Sequence, residues 1–160
     1  MELMDFAIQM EKDGEAYYRQ LAHRTSNAGL RTILTMLADE EVKHQQLFAG
    51  WKQALPPDRE NQLLTRAKNI FALMRESDEL LPDEGGQVDL YRKAQDLEKK
   101  SETFYKEQAG KVANEDQKRA LMALAKEEER HYILLENIIE FVSKPQTWLE
   151  DAEFNHLEEY

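Results

Sequence analysis

The chain has 160 residues, a formal net charge of −11 and no cysteine. A length of this order predicts one domain with a substantial core. The negative charge argues against a surface that binds nucleic acid or anionic membranes, and the lack of cysteine excludes disulfides, thiol catalysis and cysteine-ligated metal. Because the sequence has neither a long apolar run nor the basic start of a signal peptide, we expect a cytoplasmic protein.

Proline (4) and glycine (6) are scarce, which predicts few turns and long helices. Apolar residues at three- and four-residue spacing predict four helices, over residues 2–24, 28–54, 87–110 and 115–143. The connection over residues 58–86, with a possible short helix at 63–73, is unusually long for a compact domain. It fits a second and a third helix that run parallel, so that the chain must cross the length of the bundle.

The predicted fold is therefore an all-α, up-down four-helix bundle with a long crossover between helices 2 and 3, over residues 1–145. The remaining residues, 146–160, are expected to form a tail or one short C-terminal helix. Its apolar residues Trp148, Leu149 and Phe154 could dock on a neighbouring copy, so a homodimer is plausible.

The second predicted helix carries Glu41 and His44 within an apolar stripe, and the fourth helix repeats the pair 87 positions later as Glu128 and His131. Residues at this spacing share one helix face. The two stripes are Leu34, Leu37, Glu41, His44, Phe48, Trp51, Leu55 and Leu121, Leu124, Glu128, His131, Leu135, Ile138, Val142. Both helices are therefore predicted to turn a carboxylate and an imidazole toward the core.

The helix before each of these pairs carries a single glutamate on a comparable stripe, Glu11 in the first helix and Glu98 in the third. These two residues keep the same 87-residue offset, which indicates an internal duplication of a helix pair. The first helix has a further apolar stripe beside that of Glu11, formed by Leu3, Phe6, Met10, Tyr17 and Leu21.

Four carboxylates in one core would lose hydration and repel each other, at a cost of several kcal/mol per ion. Protonation or basic neighbours could relieve this cost, but neither Glu/His stripe contains lysine or arginine. Two divalent cations would neutralise the four charges. We therefore favour a di-metal site with Glu41 and Glu128 as bridging ligands, Glu11 and Glu98 as terminal ligands, and one imidazole per metal, from His44 and His131.

Further matched pairs surround these residues. Tyr18 and Tyr105 could hold a carboxylate or supply an electron, or they could be core tyrosines with satisfied hydroxyls. Gly14 and Ser101 could leave room for a ligand on the metals or allow close helix packing.

Two other sets of residues lie outside this predicted ligand set. Glu15 and Glu102 are extra ligands, supporting groups or solvated side chains. A third Glu-x-x-His motif, Glu153 to His156, has no repeat partner and is interpreted as surface.

The segment from Glu11 to Tyr18, its repeat from Glu98 to Tyr105 and the two paired Glu-x-x-His motifs resemble the rubrerythrin branch of the ferritin-like superfamily. The resemblance covers nearly the whole chain and implies a ferritin-like bundle with a non-haem di-iron centre that reduces hydrogen peroxide or O₂ or oxidises Fe²⁺. The implied ligands are Glu11, Glu41, His44, Glu98, Glu128 and His131. Iron is expected on the ligand chemistry, with manganese or a mixed site as alternatives.

The chain departs from rubrerythrins in two ways. It has no cysteine and hence no rubredoxin domain, so the resemblance implies an external electron donor. Ser101 stands where rubrerythrins carry an additional iron-binding carboxylate, and Glu102 is the nearest substitute. An oxidoreductase of peroxidase or ferroxidase type is the leading hypothesis. The alternatives are an iron sequestration or delivery protein with little turnover, and a structural or regulatory helical module with a vestigial site.

Overall fold

The computed structural model describes residues 3–50, 67, 69–70 and 87–143. These residues form four long helices, α1 (Leu3–Arg24), α2 (Ala28–Ala49), α3 (Gln87–Ala109) and α4 (Glu115–Ser143). The prediction of an all-α four-helix bundle is thus confirmed. Most of the predicted crossover, including most of its short helix, and the C-terminal tail lie outside the described residues.

Helix α2 ends at Ala49, earlier than the predicted end near residue 54. Gly50 is its C-cap, and the Gly50 N–H donates to the carbonyl of Gln46 at 3.1 Å. Glycine is common where a helix ends, so Gly50 marks this boundary. The predicted residues 51–54 lie outside the described residues.

Asparagine begins both of the helices that carry the Glu-x-x-His pairs. The Asn27 side chain accepts a hydrogen bond from the Leu30 N–H at 2.8 Å, at the start of α2. The Asn114 side chain accepts one from the Gln117 N–H at 2.9 Å, at the start of α4. Each bond satisfies an N–H that has no partner within its helix, so the duplication extends to the caps.

The contacts between α1 and α3 fix the direction of the helices. Tyr18 contacts Glu98, in the middle of α3, whereas the earlier residue Glu11 contacts Tyr105, near its end, so α1 and α3 are antiparallel. Short loops make α1 antiparallel to α2 and α3 antiparallel to α4. Helices α2 and α3 therefore run parallel, and the chain between them must span the length of one helix, about 33 Å. This geometry requires the crossover that the length of the connection predicts.

The core consists of two apolar clusters with a polar layer between them. On α2, the residues from Leu30 to Ala38 contribute to one cluster and Phe48 to the other. On α4, the residues from Leu134 onward belong to the first cluster, and those from Ala120 to Ala125 belong to the second. The buried Glu/His pairs occupy the layer between the clusters, so apolar packing on both sides shields them from water.

The two stripes of α1 have different environments. Ala7, Glu11 and Tyr18 are buried, whereas Phe6 of the neighbouring stripe is 45% exposed and Met10 is only partly buried. The stripe that contains Phe6 is therefore only partly covered. Both stripes cannot face the core at once, and the stripe that carries Glu11 does so. No helix in the described ranges combines the length and the apolar character needed to cross a membrane.

Candidate metal centre

All four helices contribute side chains to the layer between the two apolar clusters. Helices α1 and α3 supply one glutamate each, and α2 and α4 supply one Glu-x-x-His pair each. The six residues are all at least 97% buried, namely Glu11, Glu41, His44, Glu98, Glu128 and His131. The fold thus brings together every residue that the sequence predicts as a metal ligand.

These residues form two overlapping groups, and in each group one ligand atom per residue lies within 4.8 Å of all the others. The first group is Glu11, Glu41, His44 and Glu128, and the second is Glu41, Glu98, Glu128 and His131. The carboxylates of Glu41 and Glu128 belong to both groups. A bridging carboxylate requires this placement, and the roles of the individual ligands stay predictions.

Each of the six residues has a buried polar atom that finds no hydrogen-bond partner among the described residues. The atoms are Glu11 Oε2, Glu41 Oε1, His44 Nδ1, Glu98 Oε2, Glu128 Oε1 and His131 Nδ1. Buried polar groups normally have partners, since an unsatisfied one costs about 1–3 kcal/mol. Oxygen and nitrogen atoms that converge in this way fit the coordination of divalent metal ions.

The two histidines lie in equivalent positions in the two halves of the chain. His44 Nδ1 is 3.3 Å from Glu11 Oε2 and 3.0 Å from Glu128 Oε1. His131 Nδ1 is 3.4 Å from Glu98 Oε1 and 3.5 Å from Glu41 Oε1. The rings are 6.0 Å apart between centroids and nearly parallel, at 9°. Hence each imidazole turns Nδ1 toward the carboxylates, and an approximate twofold axis relates the halves.

Two tyrosines connect the halves by crossed hydrogen bonds. The Tyr18 hydroxyl donates to Glu98 Oε1, and the Tyr105 hydroxyl donates to Glu11 Oε1. Burial, followed by the charges of Glu98 for Tyr18 and of Glu11 for Tyr105, raises both tyrosine pKa values well above the ordinary value. Both phenols therefore keep their protons and act as donors. The structure places them where they can hold a carboxylate, and their catalytic role stays a prediction.

The carboxylates divide into two electrostatic types. Burial, then repulsion from the other carboxylates, raises the pKa of Glu41 and of Glu128 well above the ordinary value. Burial would also raise the pKa of Glu98, but the charge of His131 and the surrounding hydrogen bonds lower it to about 2. The electrostatic cost of burial and repulsion is thus concentrated on the carboxylates of Glu41 and Glu128. Two divalent cations would relieve this cost by neutralising all four charges.

Gly14 lies against one of the two shared carboxylates. A Cβ atom at this position would be 3.2 Å from Glu41 Oε2 and 3.3 Å from Glu41 Cδ. These distances are shorter than ordinary van der Waals contacts. Of the two proposed roles for Gly14, the contact supports close packing, and specifically packing that sets where the Glu41 carboxylate can lie.

Glu127 is a site residue that the sequence analysis missed. It is 4% exposed, and its Oε1 atom is 3.3 Å from His44 Nε2. A proton on Nε2 directed at this carboxylate leaves the Nδ1 lone pair for a metal ion. Glu127 directly precedes Glu128, and Glu40, also buried, directly precedes Glu41. The 87-residue offset of this pair is the signal that could have identified it.

The pair formed by Glu15 and Glu102 lies away from the metal-ligand groups. Glu102 is 4% exposed, and its carboxylate contacts Lys106 Nζ at 2.6 Å and Lys99 Nζ at 3.4 Å. Glu15 contacts Arg19 at 3.0 Å and accepts a hydrogen bond from Gln45 at 2.9 Å. Both residues form ion pairs, Glu102 at a buried position and Glu15 at a partly exposed one, and neither belongs to the metal-ligand groups among the described residues.

In a comparison with protein families, the family model described as Rubrerythrin matches residues 2–139. No match was found among curated proteins or among solved structures. The family match spans the first three helices, most of α4 and all six buried Glu/His residues that could hold metal. The chain therefore belongs to the rubrerythrin family, whose members bind iron, and has the ferritin-like four-helix bundle.

Proposed function

We propose that the protein is an oxidoreductase that holds two iron ions and uses them to reduce peroxide or O₂, with electrons from a separate donor. Oxidation of Fe²⁺ is the closest variant of the same chemistry. The two overlapping Glu/His groups, with one unsatisfied buried atom on each residue, are the observation that carries the proposal. When bound, the iron pair would supply the redox chemistry.

The side chains have separate tasks in this proposal. The first ion would be held by Glu11 and His44, the second by Glu98 and His131, and both by the two shared glutamates. The crossed tyrosines would orient the terminal carboxylates through their hydrogen bonds. Glu127 would orient the His44 ring. The apolar clusters would keep bulk water away from the two ends of this layer, which strengthens the electrostatic contacts inside.

The test begins with the metal content of the full chain after anaerobic loading with Fe²⁺. Two iron ions per chain are expected, followed by repeated consumption of hydrogen peroxide when a reductant is present. The variant Glu98→Gln removes the charge of one terminal ligand and should lower both values. The variant Glu107→Gln, at an exposed position of the same helix, is the matched control. Less than one iron per chain in the loaded wild type would contradict the proposal.

Iron sequestration or delivery with little turnover is the second candidate. The net charge of −11 and the presence of Ser101 at the third-helix position favour it. A single-turnover experiment separates the two functions. Full iron loading with one stoichiometric reaction, and no further peroxide consumption after the reductant is added, would favour sequestration over catalysis.

A further inference from the structure

A cavity of about 360 Å³ lies between α1 and α3 and reaches from the protein surface to the metal-ligand carboxylates. Phe6 and Leu97 at its rim are 45% and 37% exposed. Its inner end is formed by Glu41, Glu98 and Glu128, which are all buried. In the described part of the chain, this cavity therefore connects solvent with the shared carboxylates.

The walls of the cavity between rim and floor are mainly apolar. Met10, Tyr17 and Phe104, all partly buried, line the middle of the cavity. Apart from the three glutamates at the inner end, the charged lining residues are Asp13 and Lys100, which are exposed and opposite in sign. The walls thus favour an uncharged, partly apolar molecule, and the polar groups lie at the inner end.

The approximate twofold axis passes through the cavity, because several lining residues are repeat partners of one another. Met10 and Leu97 occupy equivalent positions at the 87-residue offset, and so do Tyr17 and Phe104. The floor, however, is one-sided, since Glu98 lines the cavity and its repeat partner Glu11 does not. A molecule in the cavity would reach the centre on the Glu98 side.

The size of the cavity exceeds what hydrogen peroxide requires. A water molecule takes up about 30 Å³ in the liquid, so the volume is on the order of ten such molecules. Cavities of about 300 Å³ and more, with apolar walls and a few convergent polar groups, are typical of sites for small organic molecules. The cavity therefore has room for a hydrocarbon group in addition to a peroxide group.

We propose that this cavity binds organic hydroperoxides, ROOH, with the hydrocarbon group against Met10, Leu97 and Phe104 and the peroxide group toward Glu98. The inference rests on the proposed function, since the same centre would perform the reduction. In the reaction the O–O bond breaks, and two electrons from the external reductant and two protons from solvent yield the alcohol ROH and water. The alcohol product should bind in the same cavity.

The binding step is tested on the full-length chain with methyl-labelled methionine, both without metal and with Zn²⁺ as a redox-inert ion. The probe is 2-phenyl-2-propanol, the alcohol formed from cumene hydroperoxide. A saturable shift of the Met10 methyl resonance is expected, without a shift at Met122, which is 46% exposed and does not line the cavity. A Met10 resonance that does not respond in either form overturns the proposal.

The catalytic step is tested by comparing cumene hydroperoxide with hydrogen peroxide, using the iron-loaded protein and the same reductant. The variant Leu97→Trp fills the rim and should lower kcat/KM for cumene hydroperoxide about tenfold, with a change below about twofold for hydrogen peroxide. Met122→Trp is the matched control. Equal losses for both peroxides in Leu97→Trp would overturn the proposal.

Three results separate a failure of this inference from a failure of the proposed function. If the chain holds iron and reduces only hydrogen peroxide, the cavity inference is wrong and the proposed function stands. If the chain reduces no peroxide, the proposed function is wrong, and the shift of Met10 still reports whether the cavity binds the alcohol. If Leu97→Trp does not fold, as judged by its circular dichroism, the Met10 measurement on the wild type decides.

Discussion

Gly14 restricts the position of a metal ligand although it offers no ligand atom itself. A methyl group at residue 14 would crowd the Glu41 carboxylate, which belongs to both metal-ligand groups. We predict that Gly14→Ala weakens metal binding about tenfold, as changes next to ligands commonly do. The stability of the metal-free protein should not fall, since alanine favours a helix over glycine by about 1 kcal/mol.

A competition titration with a chromogenic chelator measures the affinity, and urea unfolding of the metal-free protein measures the stability. Lys12→Ala, an exposed change on the same helix, controls for general effects on α1. If Gly14→Ala bound metal as tightly as the wild type, the close contact would have no bearing on Glu41.

Helices α2 and α4 begin with equivalent asparagine caps that differ in exposure, so the contributions of the two caps to stability can be compared. Asn27 is buried at the start of α2, whereas Asn114 is exposed at the start of α4. Replacement of a capping asparagine by alanine costs about 1 kcal/mol, within a range of about 0.5–2. Water can replace the lost bond at Asn114 more easily than at Asn27.

We therefore predict that Asn27→Ala destabilises the protein by about 1–2 kcal/mol and Asn114→Ala by about 0.5 kcal/mol. Urea unfolding of the metal-loaded chains, followed by circular dichroism, gives the two free energies. Equal costs would mean that the burial of the Asn27 cap does not matter.

For the whole molecule, the metal-free state should lose stability as the pH rises. The raised pKa values of Glu41 and Glu128 contribute stability that is complete below about 4.5, their value in an unfolded chain, and declines above it. Burial would lower the pKa of His44, but Glu11 and Glu127 raise it well above 6.5, so its contribution declines from pH 6.5 upward. Glu11 and Glu98 have lowered pKa values, so their contributions to stability are complete above about pH 4.5 and do not change from pH 6.5 upward.

Thermal unfolding of the metal-free chain should therefore show a Tm that falls steadily between about pH 6.5 and 9. Metal loading should raise the Tm and flatten this dependence, because the ions replace the protons that relieve the carboxylates. The variant Glu41→Gln, which removes one raised carboxyl group, should show a weaker pH dependence without metal. A metal-free Tm that is constant or rises over this range would contradict the assignment of these charges.

Much of the site could be predicted from the sequence because the two repeats restrict it. All seven residues of the α4 stripe are buried, from Leu121 to Val142, and so are the first five of the α2 stripe. Periodicity shows which face of a helix is buried, but it does not show how far apart two helices lie. The exposure of Phe6 and the cavity between α1 and α3 depend on that separation, so the sequence did not predict them. Glu127 escaped notice since glutamate beside a ligand is common in so acidic a chain.

The crossed tyrosine and histidine contacts bear on the origin of the protein. Each two-helix half contributes one tyrosine, two glutamates and one histidine. The tyrosine and the histidine of each half contact the two glutamates of the other half. Two identical copies of one half, related by a true twofold axis, would make the same contacts and contain all the ligands. The chain therefore has the features expected if two copies of a gene for a symmetric dimer were fused, with later divergence at positions such as Gly14 and Ser101.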